Sequence, residues 1–354
     1  MTLPIAVRAS VDKITFMLYP NSSRVFLRQY TEELIAGFCA RWDIPRNFFC
    51  KKVSGYGYSF ILPLSEPLDY RTPSNNDGKP KMFLQICSSD KQRQRIRVEI
   101  SGYPLTRTDY YYAQKWLLQL TGNDFDCLET DTIKVTRIDV ALDLNKRIDE
   151  LYFKVIRLGK VMMFISKDGK IESITHGPDN RLLKVCFYDL EAKAVTKGKN
   201  GARRQKRNGD AKTRAELRVN PNITLNKVLT EFDFKKYFDR IEILDPRFLE
   251  VTDMPQILKN HFAAYGYAST LNALEPAQRE KLQKSTKNYK YQIVEQGTLV
   301  QALQDELRKT KGLYHKIDFS DVTSKNCKTA KKCNKRFAHM LGKSVKRVDN
   351  FICS

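Results

Sequence analysis

Two rhythms of hydrophobic and polar positions divide the chain. Alternation with a period of two, the mark of a strand with one buried face, recurs through the first 222 residues. It predicts strands over 13–19 (KITFMLY), 55–64, 82–87, 95–101, 133–144, 161–166, 182–188 and 213–219. Asn75-Asn76-Asp77-Gly78 supplies a turn between two of them. Between strands, apolar residues at Phe26, Tyr30, Leu34, Phe38 and Trp42 predict a helix over 23–42. A second helix is predicted over 108–120, with Asp109 near its start and Thr121-Gly122-Asn123 as its stop. A third is predicted near 147–159. From about residue 222 the spacing becomes three and four, predicting helices over 222–240, 254–265, 267–284 and 291–310.

These elements predict an α+β fold of mostly antiparallel sheet, covered on one face by helices and followed by a helical C-terminal region. Residues 1–125 and 126–222 have comparable element orders, which allows a duplicated α+β unit, although no residue-level repeat accompanies it. The expected organisation is an N-terminal α+β half (1–125), a second half carrying the chemistry (126–222), a helical domain (223–322) and a basic tail (323–354).

Charge narrows the partners. Of 354 residues, 62 are Lys or Arg against 40 Asp or Glu, a formal net charge of +22. Such a surplus attracts polyanions and points to nucleic acid. The basic residues cluster: 193–214 holds nine Lys/Arg and one Asp, and 324–347 holds nine more with no acid. Arg203, Arg204 and Arg207 in the first stretch, and Lys331, Lys332 and Arg336 in the second, are candidate phosphate contacts. No run reaches the roughly 18 apolar residues of a membrane span. The eight cysteines form no CxxC pair, which argues against zinc, and the absence of a secretory signal leads us to expect reduced thiols and a cytoplasmic protein.

Strand alternation also sorts the candidate chemistry onto one face. In 135–144, Ile138, Val140, Leu142 and Leu144 oppose Arg137, Asp139 and Asp143. In 183–191, Leu183, Val185 and Phe187 oppose Lys184, Cys186 and Tyr188. In 213–219, Ala215, Leu217 and Val219 oppose Arg214, Glu216 and Arg218, and Arg97 and Glu99 stand apart from Ile96, Val98 and Ile100. Should these strands share a sheet, one face is apolar while the other gathers acids, guanidiniums and a phenol. Grouped carboxylates suit Mg²⁺ or Mn²⁺, arginines hold phosphates, and a tyrosine that loses its proton is a nucleophile. Phosphoryl transfer is the chemistry these groups suit. A noncatalytic DNA binder and a water-using metal nuclease remain open readings of the same residues.

Arg137-Ile138-Asp139, 185-VCFY-188 and Arg214-Ala215-Glu216-Leu217-Arg218, in this order, together with 98-VEISGYP-104, resemble the replication initiators of filamentous phages, the gene II protein family. The chain is more distantly similar to plasmid rolling-circle initiators of the Rep_trans type. The resemblance implies nicking of the plus strand at a double-stranded origin, a 5′-phosphotyrosine at Tyr188, and later religation of the displaced single strand. It further implies help from host helicase and polymerase in a bacterial cytoplasm. Asp139 and Glu216 match the positions expected to build a metal site, with Asp143, and Glu191 or Asp189, as further candidate ligands. Arg137, Lys184, Arg214 and Arg218 would contact DNA. The His-hydrophobe-His motif of the large nickase superfamily is absent, and the four histidines are isolated; His176 could join the site from a neighbouring loop.

Overall fold

The computed structural model describes residues 6–19, 58–64, 80–86, 95–102, 105–121, 126–156, 161–178, 182–192, 211–251, 254–291 and 296–314, and the single positions 36 and 40. The chain divides into a unit over Met1–Tyr314 and a second over His315–Ser354, which lies outside the described residues. The bulk of the helix expected at 23–42 lies outside them as well.

One antiparallel sheet dominates the first unit. Its strands are β1 (Ala6–Leu18), β2 (Tyr58–Pro63), β3 (Lys81–Ile86), β4 (Ile96–Ser101), β5 (Lys134–Leu144), β7 (Val161–Ile165), β8 (Ile171–His176), β9 (Leu183–Asp189) and β10 (Thr213–Val219). They lie in the order β2-β3-β4-β1-β5-β10-β9-β8-β7, and the short β11 (Ile223–Thr224) also pairs with β5. The order has an internal symmetry. On each side of the central β1–β5 pair, the last strand of the half returns beside its first, and the others follow outward in reverse. The two halves thus have matching strand orders about that pair, with β7 additional at one edge. Because β1 and β5 are hydrogen-bonded neighbours, residues 1–125 and 126–222 share one sheet rather than forming separate layers.

The apolar faces of these strands build one core. Ile138, Val140, Leu142 and Leu144 are at most 1% exposed, and Ile14, Phe16, Val98, Val185, Phe187, Leu217 and Val219 join them. Each such side chain contributes roughly 1.5–3 kcal/mol by leaving water. Trp116, Leu117 and Leu120 of α1 (Arg107–Thr121), and Leu303 and Leu307 of α7 (Gln296–Arg308), belong to the same core.

Two expectations for the C-terminal half are corrected. The described part of the expected helix, 147–156, is not helical: a single 3₁₀ turn at Ile148–Glu150 leads into β6 (Tyr152–Val155), which pairs with β12 (Ile241–Leu244). Its apolar spacing suits either conformation, and a partner strand far along the chain decides the outcome. Phe153 stacks on Phe187 with ring centroids 3.8 Å apart. The region from 222 onward is also not purely helical, since it contributes β11 and β12. It holds α2 (Leu225–Glu231), α3 (Lys235–Phe238), α4 (Phe248–Val251), α5 (Gln256–Ala273) and α6 (Pro276–Thr286). One helix, α5, runs through the break expected at 266. The chain breaks instead at Glu275, where a capping box and Pro276 start α6. A second small core, of Leu244, Phe248, Phe262, Leu271, Leu274 and Leu282, holds these elements together. No helix among the described residues is long and apolar enough to cross a membrane.

Candidate active site

The residues selected by alternation do share one sheet face. Register places them in cross-strand rows, because directly opposed residues of an antiparallel pair project to the same side. One row reads Ser173, Tyr188, Arg214 and Asp143 across β8, β9, β10 and β5. The next reads Thr175, Cys186, Glu216 and Ala141, and the third Lys184, Arg218, Asp139 and Lys13. Thr15 on β1 continues the face to Glu99 on β4, which neighbours Arg97 and Gln85.

Tyr188 and Glu216 meet diagonally across two strands. The Tyr188 hydroxyl donates to Glu216 Oε1 in a short hydrogen bond. Tyr188 is buried, only 5% exposed, with its hydroxyl on the polar side of the sheet, while Glu216 is half-buried. Directly opposite Tyr188, the guanidinium of Arg214 interacts with it electrostatically. A phenol held to a carboxylate, with a fixed cation beside it, is equipped to lose its proton to Glu216 while Arg214 offsets the charge left on oxygen.

Arg214, which the resemblance led us to expect at the DNA surface, is instead buried. Its side chain is 4% exposed and three ion-pair contacts engage it. Nε lies 2.6 Å from Asp143 Oδ1, Nη2 3.0 Å from Asp143 Oδ2, and Nη1 2.6 Å from Asp12 Oδ2. Burial disfavours its charge, but the two carboxylates outweigh that and raise its pKa. Asp12 reaches this face through a β-bulge, for β1 slips in register against β5 between Val11 and Lys13. Sequence alternation had no means of finding Asp12, since a bulge breaks the period by one residue.

Arg137, half-exposed on the same face, is also engaged by a carboxylate. Its Nε and Nη2 clasp both oxygens of Asp139 at 2.6 and 2.5 Å, and Arg218 Nε stands 3.8 Å from the same carboxylate. Burial lowers the pKa of Arg137, and the Asp139 contacts more than reverse this, leaving it raised. Lys13 binds Glu99 at 2.6 Å; burial pushes that carboxyl up, but Lys13, Arg97 and Arg137 bring it below its usual value. Lys184 and Arg218 stay half-exposed on the face, Arg218 beside Asp139.

A divalent cation does not fit this donor set. Both oxygens of Asp139 and both of Asp143 already face guanidiniums. Among the described residues, no three His, Cys, Asp or Glu side chains converge as a cage. Glu191 is exposed on the helical turn after β9, off the sheet face, and Asp189 Oδ1 accepts from the backbone N–H groups of Glu191 and Ala192. Neither is therefore placed as a ligand, and Asp143 serves Arg214. His176 lies on β8 opposite Val185, on the apolar side, where its ring meets the edge of Phe187 and burial lowers its pKa to about 4. It does not join the site.

Three consecutive tyrosines, Tyr110, Tyr111 and Tyr112, lie on α1 rather than on this sheet. Tyr110 is fully buried in the core, and the rings of Tyr111 and Tyr112 lie beneath the cations of Arg107 and Lys115. Arg203, Arg204, Arg207, Lys331, Lys332 and Arg336 lie outside the described residues.

No family model matches the sequence, and no curated protein is detectably similar. A solved structure of a rolling circle replication initiator protein from Geobacillus stearothermophilus is similar over 60% of this chain and 74% of that chain. The two share 16% sequence identity, with a TM-score of 0.29. Likeness at that level carries no argument about chemistry.

Proposed function

We propose that the protein is a replication initiator that nicks and rejoins one DNA strand through Tyr188. The observation that carries this reading is the Tyr188–Glu216 hydrogen bond on a sheet face supplied with guanidiniums, in a chain of net charge +22. Glu216 takes the phenolic proton, and the phenolate oxygen attacks the phosphorus of a backbone phosphodiester. The bond from phosphorus to the 3′ oxygen breaks, and that oxygen acquires a proton from solvent. The products are a 5′-phosphotyrosine and a free 3′ hydroxyl able to prime synthesis. Attack by a later 3′ hydroxyl on the phosphotyrosine reverses these changes and closes the strand. Arg214 offsets the charge on the phenolate, while Arg218 and Lys184 face the phosphate. The partners of such an enzyme are duplex and single-stranded DNA at an origin, and a host polymerase and helicase would extend its product.

The test uses supercoiled DNA carrying the origin of the replicon that encodes the protein, in Mg²⁺ and in chelator. Wild type should yield open circles with protein covalently joined to the 5′ end. Tyr188→Phe should bind the same DNA and yield neither. Nicking by Tyr188→Phe at the wild-type rate would refute the nucleophile. Nicks without a denaturation-resistant adduct would point to attack by water instead.

A further inference from the structure

At the open edge of the sheet, β7 reads Val161-Met162-Met163-Phe164-Ile165, and all five side chains are exposed, Phe164 to 55%. Five consecutive exposed apolar residues on an edge strand are unusual, since such edges are normally protected by charge or cover. Register makes Phe164 more specific than a patch. It stands opposite Ser173, which stands opposite Tyr188, so Phe164 continues the Tyr188–Arg214–Asp143 row on the same face. Two strand spacings separate it from Tyr188, about 10 Å. Met162 continues the Glu216 row in the same way, through Thr175 and Cys186.

We infer that Phe164, with Met162 beside it, is a stacking platform for an unpaired base of single-stranded DNA flanking the phosphate presented to Tyr188. The occupant follows from charge. The β7–β8 turn carries exposed Lys167 and Lys170 with one acid, Asp168, between them, around Gly169, whose φ of +76° suits glycine; Lys184 and Arg218, the latter beside Asp139, lie inward on the face. An apolar ring bordered by cations matches a ligand with aromatic faces and a polyanionic backbone. A duplex does not fit, because its base faces are already stacked. The inference deepens the proposed function and rests on it for the identity of the polymer.

The experiment measures anisotropy of a fluorescein-labelled single-stranded oligonucleotide of mixed sequence, bound to the full chain carrying Tyr188→Phe so that nothing is cut. Adding Phe164→Ala should weaken binding by between about fivefold and a hundredfold. Phe164→Trp should restore it, and Phe164→Leu, apolar but unable to stack, should not. The salt dependence should be unchanged, because a phenyl ring neutralises no phosphate, and duplex affinity should not fall. Equal affinity of Phe164→Ala and its parent, or full rescue by leucine, would overturn the platform while leaving the nickase reading intact. A wild-type dimer that Phe164→Ala converts to monomer in sedimentation would assign the edge to self-association instead. Failure of the parent to bind any single strand would remove the underlying function together with the platform.

Discussion

Replacing Arg214 with methionine would leave Asp143, whose side chain is 4% exposed, without its cation, and Asp12 without its closest one. The three contacts lie between 2.6 and 3.0 Å, so geometry gives the pair its full attraction. What destabilises the variant most is the uncompensated buried carboxylate, which typically costs about 3–5 kcal/mol when one partner of a buried pair is removed. At about 2 °C per kcal/mol for a unit of this size, the midpoint of thermal unfolding should fall by roughly 6–10 °C. The double variant Arg214→Met/Asp143→Leu removes both buried charges. Asp12, whose side chain is 21% exposed, can be hydrated, so most of the loss should be recovered, to within about 1–2 kcal/mol of wild type. Thermal and urea unfolding of the two variants supply the comparison. Duplex binding across a salt series supplies a second, because an internal arginine leaves the slope unaltered whereas a lost phosphate contact lowers it by about 0.9. A single variant as stable as wild type, or a double variant worse than the single, would refute the reading of Arg214 as a buried clamp.

Glu216→Gln keeps a hydrogen-bonding group beside Tyr188 but removes the base, so nicking should fall by about 10²–10⁴-fold with DNA affinity retained; an unchanged single-turnover rate would exclude Glu216 as proton acceptor. Gly312→Ala should destabilise by about 1–3 kcal/mol, because the added Cβ would lie 2.4 Å from the Arg107 carbonyl oxygen and 2.8 Å from Tyr110 Cβ; the urea midpoint reports it. His176 has a folded pKa of about 4, below its ordinary 6.5, so the unfolded chain binds the extra proton between those values. The stability this supplies is complete above pH 6.5 and is lost as pH falls towards 4, about 3 kcal/mol in all. His176→Phe should flatten that part of the pH–stability curve, and an unaltered curve would show that the imidazole is not held neutral.

Much of the sheet was legible because its signal is local. Eight of its strands announce themselves by alternation, and the partition of Tyr188, Glu216, Asp139 and Arg214 from Phe187, Leu217, Val140 and Ala215 follows from the same period. The elements that escaped are those whose pattern is shared by two conformations. Residues 147–159 place Ile148, Leu151, Tyr152 and Val155 at helical spacing, yet pairing with β12 makes Tyr152–Val155 a strand. For β8, the Asp168-Gly169 turn was a usable hairpin signal that alternation by itself does not register.

Periodicity thus determined on its own which side chains point away from the core, since a strand's pleat fixes that without reference to any neighbour. Tertiary structure alone decided which of those side chains touch. Register across β5, β9 and β10 set the phenol against Glu216 and enclosed Arg214 between Asp143 and Asp12, and a bulge delivered Asp12. Contact between residues remote in sequence depends on how strands slide against one another; the two-residue period restricts that slide to even steps, and the choice among them rests with turns, bulges and packing between distant segments.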